Sequence, residues 1–280
     1  MSVFIIAEAG VNHNGNLDLA YELIDAAADA KVDAVKFQTF VTDSLVTKSA
    51  KKAQYQFKLT NSNESQYDML RRLELTQEEF TLLHSYSQQK GIKFLSTAFD
   101  KISLDFLHER LNLSFLKVPS GEITNSPFLL DHALTENNLI ISTGMANIDE
   151  IRMALSVVAF GYSKRLRGKY PTLKDFDRAF KSEEGQKLIK EKVTLMHCTT
   201  EYPAPFEEIN LLAMNHLKEE FGIQVGYSDH SKGIQVPIAA VALGARMIEK
   251  HFTLDCSMEG PDHQASLEPY ELKQMVSSIR

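Results

Sequence analysis

The sequence lacks several features that mark particular classes of protein. Its two cysteines, Cys198 and Cys256, lie in unrelated segments and form no C-x-x-C pair, which argues against a disulfide framework and against a cysteine zinc site. No apolar run approaches the roughly 20 residues that cross a bilayer, so we expect no membrane association. The N-terminus carries no basic region of the kind that opens a secretion signal. We therefore expect a cytoplasmic protein with reduced thiols.

The charge and the glycine pattern exclude two further classes. The formal net charge of −7 provides no positive field for a polyanion, so a nucleic-acid partner is not expected. A G-x-G-x-x-G fingerprint is absent, which leaves nicotinamide chemistry without support. What the chain does have is 280 residues of which 44% are hydrophobic, enough for one large core. We predict a single domain over residues 1–280.

Short β-rich apolar runs alternate with amphipathic stretches along the whole chain. This alternation is typical of repeated βα units around a parallel sheet. Eight such strands predict an α/β fold of the (β/α)₈ TIM-barrel type. The runs are residues 4–10, 34–40, 92–99, 115–122, 139–144, 193–199, 224–230 and 246–252.

The segments between the strands predict helices and two long connections. Asn147 is a plausible N-cap for the fifth helix, and residues 266–280 predict the eighth. The connection over residues 41–74 is long for a βα loop, which makes it a candidate wall or lid of an active site. The connection at about 161–191 precedes the sixth strand, on the opposite side of the barrel. We expect it to be a solvated helical insertion with no catalytic role.

Polar side chains collect at the carboxyl-terminal ends of the predicted strands. In (β/α)₈ barrels the reacting groups lie at these ends. The pattern therefore predicts one ring of acids, bases and cations. Its candidate members are Glu8, Lys36, Gln38, Thr97, Lys117, Ser120, Glu122, Ser142, Ser228, His230, Glu249 and His251.

Lys36 and Lys117 interrupt otherwise apolar strands, where a buried ammonium group is costly without an anionic partner. A bound phosphate and carboxylate would supply that partner. Pairing with a neighbouring glutamate, in a purely structural role, would do so equally. A third alternative makes Lys117 the Schiff-base nucleophile of an aldolase, because buried lysines can lose their proton.

His230 and His251 end adjacent strands, where two imidazoles can converge on one divalent cation and leave positions open for water and substrate. Structural and acid–base roles fit the same pattern, and His197 and His13 compete for the metal.

Two further residue types concern proton transfer and nucleophilic attack. Glu8 and Glu122 are the carboxylates placed to move protons. Cys198 follows His197 directly, but successive strand residues point to opposite faces. We therefore predict a packed cysteine and not a nucleophile paired with that histidine.

Taken together, nine motifs resemble the bacterial sialic-acid synthase family in order and spacing, from residue 3 to 280. The motifs are IIAEAGVNHNG (5–15), VKFQTF (35–40), FLSTAFD (94–100), KVPSGEITN (117–125), STGM (142–145), HCTTEYPAPFE (197–207), GYSDHS (226–231), EKHFTLD (249–255) and GPDHQASLEP (260–269).

The resemblance implies a role for each candidate residue in a metal-dependent condensation of phosphoenolpyruvate with an open-chain N-acylated mannosamine-type sugar. The products are a nonulosonic acid and phosphate. By this likeness Mn²⁺ or Mg²⁺ is held by His230 and His251, and Glu8 and Glu122 are the acids of the reacting centre. Phosphoenolpyruvate is held by Lys36, Thr97, Lys117, Ser120, Ser142 and Ser228, and the sugar lies near Gln38, Tyr202 and Asp262.

The wording of the motifs is closest to neuraminic and legionaminic synthases, and we lean toward 2,4-diacetamido-2,4,6-trideoxymannose as the sugar. Phe40, Phe99 and Phe206, near strand ends, suit a deoxy sugar, although each is equally compatible with the barrel core.

The family also has a small C-terminal antifreeze-like domain, which is exchanged within a homodimer and offers an arginine to the partner's sugar site. Residues 1–280 contain no counterpart of this domain. We therefore expect a barrel without that cap, and a homodimer for the full-length protein. Whether the capless chain is active stays open, and a barrel that only binds sugar or a partner protein is the alternative outside enzymes.

Overall fold

The computed structural model describes residues 3–52, 60, 64–163 and 171–280. Eight parallel strands close into a barrel in sequence order, with the first strand paired to the eighth. The (β/α)₈ TIM barrel expected from the sequence is confirmed. The strands are β1 Phe4–Gly10, β2 Ala34–Thr39, β3 Lys93–Ala98, β4 Phe115–Val118, β5 Asn138–Ser142, β6 Val193–His197, β7 Gln224–Asp229 and β8 Met247–His251.

Helices follow the strands around the outside of the barrel. Across the described ranges, no helix combines the length and the apolar character needed to span a bilayer. The helices are α1 Leu17–Asp29, α2 Thr42–Leu45, α3 Gln66–Leu73, α4 Gln77–Gln89, α5 Lys101–Asp105, α6 Ser126–Leu134, α7 Ile148–Tyr162, α8 Leu173–Lys181, α9 Glu183–Lys192, α10 Ala213–Phe221, α11 Gln235–Ala242 and α12 Pro269–Ile279.

Two strands end earlier than the sequence pattern predicts. β4 stops at Val118 because Pro119 has no N–H to donate, and Ser120–Glu122 then forms a 3-10 turn. Pairing between β6 and β7 ends at His197, although the apolar pattern runs on to residue 199. The residues beyond both ends therefore lie in loops above the barrel, where the alternation of a strand no longer orients them.

Helix starts follow their capping residues closely. The side chain of Asn147 accepts the N–H of Glu150 at 3.0 Å, and the Glu150 carboxylate accepts the N–H of Asn147 at 2.8 Å. This reciprocal capping box satisfies two N–H groups at the start of α7, as predicted.

The two long connections contain helices of their own. Within residues 41–74, α2 and α3 are described, whereas 53–59 and 61–63 of that predicted wall lie outside the described residues. Within the second connection, α8 packs onto α7 through an edge-on contact of Phe176 with Phe160, with ring centroids 5.3 Å apart. Residues 164–170 of this connection lie outside the described residues. Its lack of a catalytic role stays a prediction.

The interior of the barrel has two layers because strand side chains alternate with period two. The lower layer is a small apolar cluster of Ile6, Ala34, Leu95, Ile140, Met196 and Met247. Two residues further along several of these strands, the inward side chains become polar. Strand register places Glu8 beside Lys36, Thr97 beside Lys117, and Ser228 beside Glu249. The upper layer is therefore a polar ring at one height of the barrel.

Candidate active site

A cavity of about 260 Å³ lies at the carboxyl-terminal ends of the strands. Small-molecule sites typically enclose roughly 300–1,000 Å³, so this volume suits compact substrates. Every site residue predicted from the sequence lines the cavity except Glu122. Those lining it are Glu8, Lys36, Gln38, Thr97, Lys117, Ser120, Ser142, Tyr202, Ser228, His230, His251 and Asp262.

Two buried lysines are bound by two buried carboxylates at the base of this cavity. Lys36 Nζ lies 2.7 Å from Glu8 Oε2 and donates to Thr97 Oγ1 at 2.9 Å. Lys117 Nζ donates to the two carboxylate oxygens of Glu249, at 2.8 and 3.0 Å. Lys36 also lies 3.6 Å from Glu249, so this carboxylate connects the two ammonium groups. The array offers paired positive charge to an anion entering from the cavity.

The two carboxyl groups differ in their preferred protonation state. Burial raises the pKa of Glu8 to about 7, although the neighbouring Lys36 ammonium opposes this rise. Burial also opposes ionisation of Glu249, but Lys117 and Lys36, together with hydrogen bonds from Lys117 and Ser228, hold the pKa of its carboxyl below the ordinary value. Glu249 is therefore a permanent carboxylate, whereas Glu8 can exchange a proton near neutral pH.

The contacts of Lys117 bear on the Schiff-base alternative. An amine acts as a nucleophile only when it is deprotonated. The paired hydrogen bonds to Glu249, a carboxylate, require an ammonium group on Lys117. The geometry therefore favours an anion-binding lysine over an imine-forming one.

His230 and His251 lie side by side on the cavity wall, with ring centroids 5.6 Å apart. His230 Nδ1 donates to the Thr199 carbonyl at 2.6 Å, which leaves the lone pair on Nε2. His251 Nδ1 is buried and, among the residues that the structure describes, has no hydrogen-bond partner. Burial lowers the pKa of His230 to about 4 and lowers that of His251 well below its ordinary value. Both rings are neutral, as metal-binding imidazoles must be.

The histidine pair fits a divalent cation with an open coordination sphere. Within the described ranges, no group of three or more His, Cys, Asp or Glu side chains is arranged to hold a metal. Two neutral imidazoles facing one cavity would leave the remaining coordination positions to water and substrate.

The competing histidines lie elsewhere. His197 Nε2 donates to the Ile209 carbonyl at 2.8 Å. His13 Nδ1 accepts the N–H of Gly15 at 3.0 Å. Neither ring lines the cavity, so the structure does not bring them to the predicted metal pair.

The predicted sugar residues surround the histidines. Gln38 Nε2 donates to Glu8 Oε1 at 3.2 Å, and the Tyr202 ring lies 4.2 Å from the His230 ring. Asp262 lies 3.7 Å from His251, and burial raises its pKa to about 6. A sugar in the cavity would therefore meet hydrogen-bonding groups beside the metal pair.

Cys198 corrects one prediction from the sequence. It is buried, as a packed cysteine should be, but its Sγ lines the cavity and lies 3.2 Å from Ser120 Oγ. The alternation argument fails because β6 ends at His197, one residue earlier.

Glu122 is the one predicted site residue that does not line the cavity. It lies in the turn after β4, where its Oε2 accepts from Asn125 Nδ2 at 2.7 Å. It lines a neighbouring cleft that shares Phe99 with the main cavity. Its role at the reacting centre stays a prediction.

Other residues of the cavity were not assigned from the sequence. Glu249 was noted only as a polar strand end, although its position two residues before His251 predicts the same inward face. Met69, Leu70 and Leu73 of α3 also line the cavity, so the long second connection does supply a wall.

The three phenylalanines considered for the sugar are placed differently from one another. Phe99 lines the cavity, Phe40 is buried beside α3, and the side chain of Phe206 is 60% exposed. Only Phe99 is in a position to touch a sugar held in this cavity.

Comparisons with known proteins agree with this geometry. The profile of the NeuB family matches residues 23–280. The N,N'-diacetyllegionaminic acid synthase of Campylobacter jejuni is 50% identical over 276 residues, which are 99% of this chain and 75% of that protein. The synthase of the same name from Legionella pneumophila is 48% identical over 280 residues, 100% of this chain and 72% of that protein. The crystal structure of N-acetylneuraminic acid synthetase from Leptospira borgpetersenii superposes with a TM-score of 0.78 at 35% identity, covering 100% of this chain and 83% of that one.

Proposed function

Because this chain belongs to the NeuB family, we propose that it condenses phosphoenolpyruvate with an open-chain N-acylated mannosamine-type sugar, giving a nonulosonic acid and phosphate. The observation that carries the proposal is that two buried lysines and two neutral histidines open onto one cavity of about 260 Å³. Anion binding and metal binding on one cavity match the needs of this reaction.

In this proposal the lysines hold phosphoenolpyruvate. Its phosphate and carboxylate lie against Lys36 and Lys117, and neighbouring hydroxyl groups donate the remaining hydrogen bonds. Because the lysines are already positioned by carboxylates, they need little rearrangement to receive the substrate. Such positioning can supply several kcal/mol of the barrier reduction. The hydroxyl groups are those of Thr97, Ser120, Ser142 and Ser228.

His230 and His251 would hold Mn²⁺ or Mg²⁺. The orphaned and buried Nδ1 of His251 and the lone pair on His230 Nε2 fit such an ion. When bound, the cation supplies Lewis acidity toward the aldehyde oxygen of the sugar. Gln38, Tyr202 and Asp262 orient the sugar around this point.

Glu8 moves protons in the steps that follow. The π electrons of phosphoenolpyruvate form a bond from its C3 to C1 of the sugar, whose oxygen takes up a proton. Water then adds at C2, and the tetrahedral intermediate expels phosphate to leave the 2-keto acid. A carboxyl with a pKa of about 7 can accept the proton of the attacking water and return it. Glu122 is the alternative carboxylate for this role.

Phosphate release is the decisive measurement. The protein is supplied with phosphoenolpyruvate, Mn²⁺ and a panel of N-acylated mannosamine-type sugars, and phosphate and nine-carbon acids are quantified together. Sugar-dependent release of both is expected. No release with any sugar would contradict the proposal and favour a barrel that only binds. Borohydride labelling of Lys117 in the presence of substrate, with turnover unaffected by chelators, would instead support a Schiff-base aldolase.

For the sugar we favour 2,4-diacetamido-2,4,6-trideoxymannose over N-acetylmannosamine. Two synthases named for N,N'-diacetyllegionaminic acid share 50% and 48% identity with this chain over nearly its whole length. The test is a competition in which equal amounts of the two sugars are supplied and the acids are separated by mass spectrometry. A mixture dominated by N-acetylneuraminic acid would overturn this preference and leave the synthase proposal standing.

Assembly and location are further expectations from the family resemblance. We propose a homodimer in the cytoplasm for the full-length protein. Light scattering after size-exclusion chromatography measures the first, and cell fractionation the second. A monomeric mass, or recovery with membranes, would contradict the respective expectation.

A further inference from the structure

One side of the cavity is apolar. Val11, Met69, Leu70, Leu73 and Phe99 line it together, and we refer to these five residues as the apolar wall. Met69 and Leu73 are almost completely buried, whereas Leu70 and Phe99 are half-buried and present surface to the cavity. None of the five side chains carries a hydrogen-bonding group.

Contacts around α3 hold the apolar wall in place. The Glu74 carboxylate at the end of α3 accepts the N–H of Thr42 at 2.9 Å, which fixes this end of the helix to α2. The Tyr67 hydroxyl donates to Asp43 at 2.7 Å on the same pair of helices. Phe40 and Leu45 pack behind Met69 and Leu73. The wall is therefore a preformed surface, and a substrate meets it without prior rearrangement.

The remaining lining of the cavity already has ligands suited to its chemistry. The lysines face phosphoenolpyruvate, and the histidines with their polar neighbours face the reacting end of the sugar. The apolar wall is left for the end of the sugar distant from C1. A hydroxyl pressed against it loses hydrogen bonds to water and gains none, whereas a methyl group there is removed from water favourably.

We propose that the apolar wall makes the enzyme select sugars whose distal carbon, C6, carries a methyl group in place of a hydroxymethyl group. This inference rests on the proposed function and adds the residues that set specificity. Leu70 and Phe99 are the selecting residues because they present side-chain surface to the cavity, while Met69 and Leu73 support them from behind.

The test compares two sugars that differ only at C6, namely N-acetylmannosamine and its 6-deoxy counterpart. We expect kcat/KM of the parent protein to favour the 6-deoxy sugar by about ten-fold or more, the usual range for one group in an apolar pocket. Leu70→Asn places an amide of similar shape at the wall and should remove most of this preference. The change should appear in the sugar KM, with the phosphoenolpyruvate KM unchanged.

Two further variants complete the experiment. Leu82→Asn makes the same substitution at a 51%-exposed position on α4 and should keep the parental ratio. Phe99→Tyr adds a hydroxyl to the wall without removing volume, and should shift the ratio in the same direction as Leu70→Asn. A parent that does not discriminate, or a parental ratio in both wall variants, would overturn the inference. Failure of the parent to make product from any sugar would instead overturn the proposed function.

Discussion

At the scale of single residues, Lys117 shows how one side chain serves structure and substrate together. Its ammonium group is bound by Glu249 and lines the cavity. Lys117→Met keeps the length of the side chain and removes the charge. We expect the phosphoenolpyruvate KM to rise about ten- to a hundred-fold, since a charge-assisted contact contributes ~1.5–3 kcal/mol. Steady-state kinetics with each substrate varied in turn measure this effect.

The control for this prediction is Lys101→Met, on the outer helix α5, where the lysine side chain is 54% exposed. It should leave both KM values at the parental level. If Lys117→Met also left phosphoenolpyruvate KM and kcat unchanged, Lys117 would have no role in anion binding.

His230 allows a second prediction that does not depend on turnover. His230→Ala removes one of the two imidazoles without opening the main core, so the fold should persist while Mn²⁺ binding is lost. Metal content after dialysis against Mn²⁺, read beside the circular dichroism spectrum, measures this. His216→Ala, at an exposed position on α10, is the matched control and should bind Mn²⁺ like the parent. Equal manganese in the two variants would remove His230 from the metal site.

At the scale of elements, α6 contains a buried histidine that should make stability depend on pH. His132 is completely buried, and its Nδ1 donates to the Phe128 carbonyl at 2.9 Å. Burial lowers its pKa from 6.5 to about 4, although this hydrogen bond opposes the change. Between pH 6.5 and pH 4 the unfolded chain therefore binds the proton more readily than the folded chain. The contribution to stability is complete above pH 6.5 and is lost as pH falls through this window.

His132→Asn keeps a donor near the position of Nδ1 and removes the titration. The parent should lose about 2–3 kcal/mol more than this variant in free energy of unfolding between pH 7.5 and pH 4.5. Urea unfolding at the two pH values measures the difference. His216→Asn, at the exposed position on α10, should follow the parent. Parallel pH dependence of the parent and His132→Asn would show that His132 does not titrate in this range.

At the scale of the whole molecule, closure of the barrel depends on a position that has no room for a side chain. A Cβ added at Gly226 would lie 2.5 Å from the Met247 carbonyl oxygen and 2.6 Å from Met196 Sδ, inside the lower layer of the barrel. Gly226→Ala should therefore destabilise the fold by ~1–3 kcal/mol through overpacking. Chemical denaturation measures this loss. Gly121→Ala, with nothing within 4 Å of the added Cβ, should have little effect, and equal stability of the two variants would contradict the argument.

The whole barrel also explains how its polar interior is tolerated. The polar ring stands on an apolar layer and is internally paired, Glu249 with Lys117 and Lys36 with Glu8. On the outward side of the same strands, Lys250 is paired with Asp229 at 2.6 Å. Each buried charge has a partner of opposite sign, which offsets the cost of removing it from water.

The sequence by itself determined the barrel, the layer of inward polar residues and most of the cavity lining. Strand periodicity and helix caps depend on residues two to four positions apart, and eight βα units permit few arrangements other than a closed barrel. Since the carboxyl ends of all eight strands meet on one face, Lys36, Lys117, His230 and His251 had to converge there.

Only the tertiary structure decided which of these groups touch. Glu249 binds Lys117 across 132 positions of sequence, while Glu122, five residues from that lysine, faces a neighbouring cleft. Cys198 lines the cavity because its strand ends one residue before it, and α3 supplies the apolar wall because Met69 and Leu73 pack on Phe40. Such contacts depend on the register between distant strands and on where each strand ends. Local sequence preferences do not specify either one.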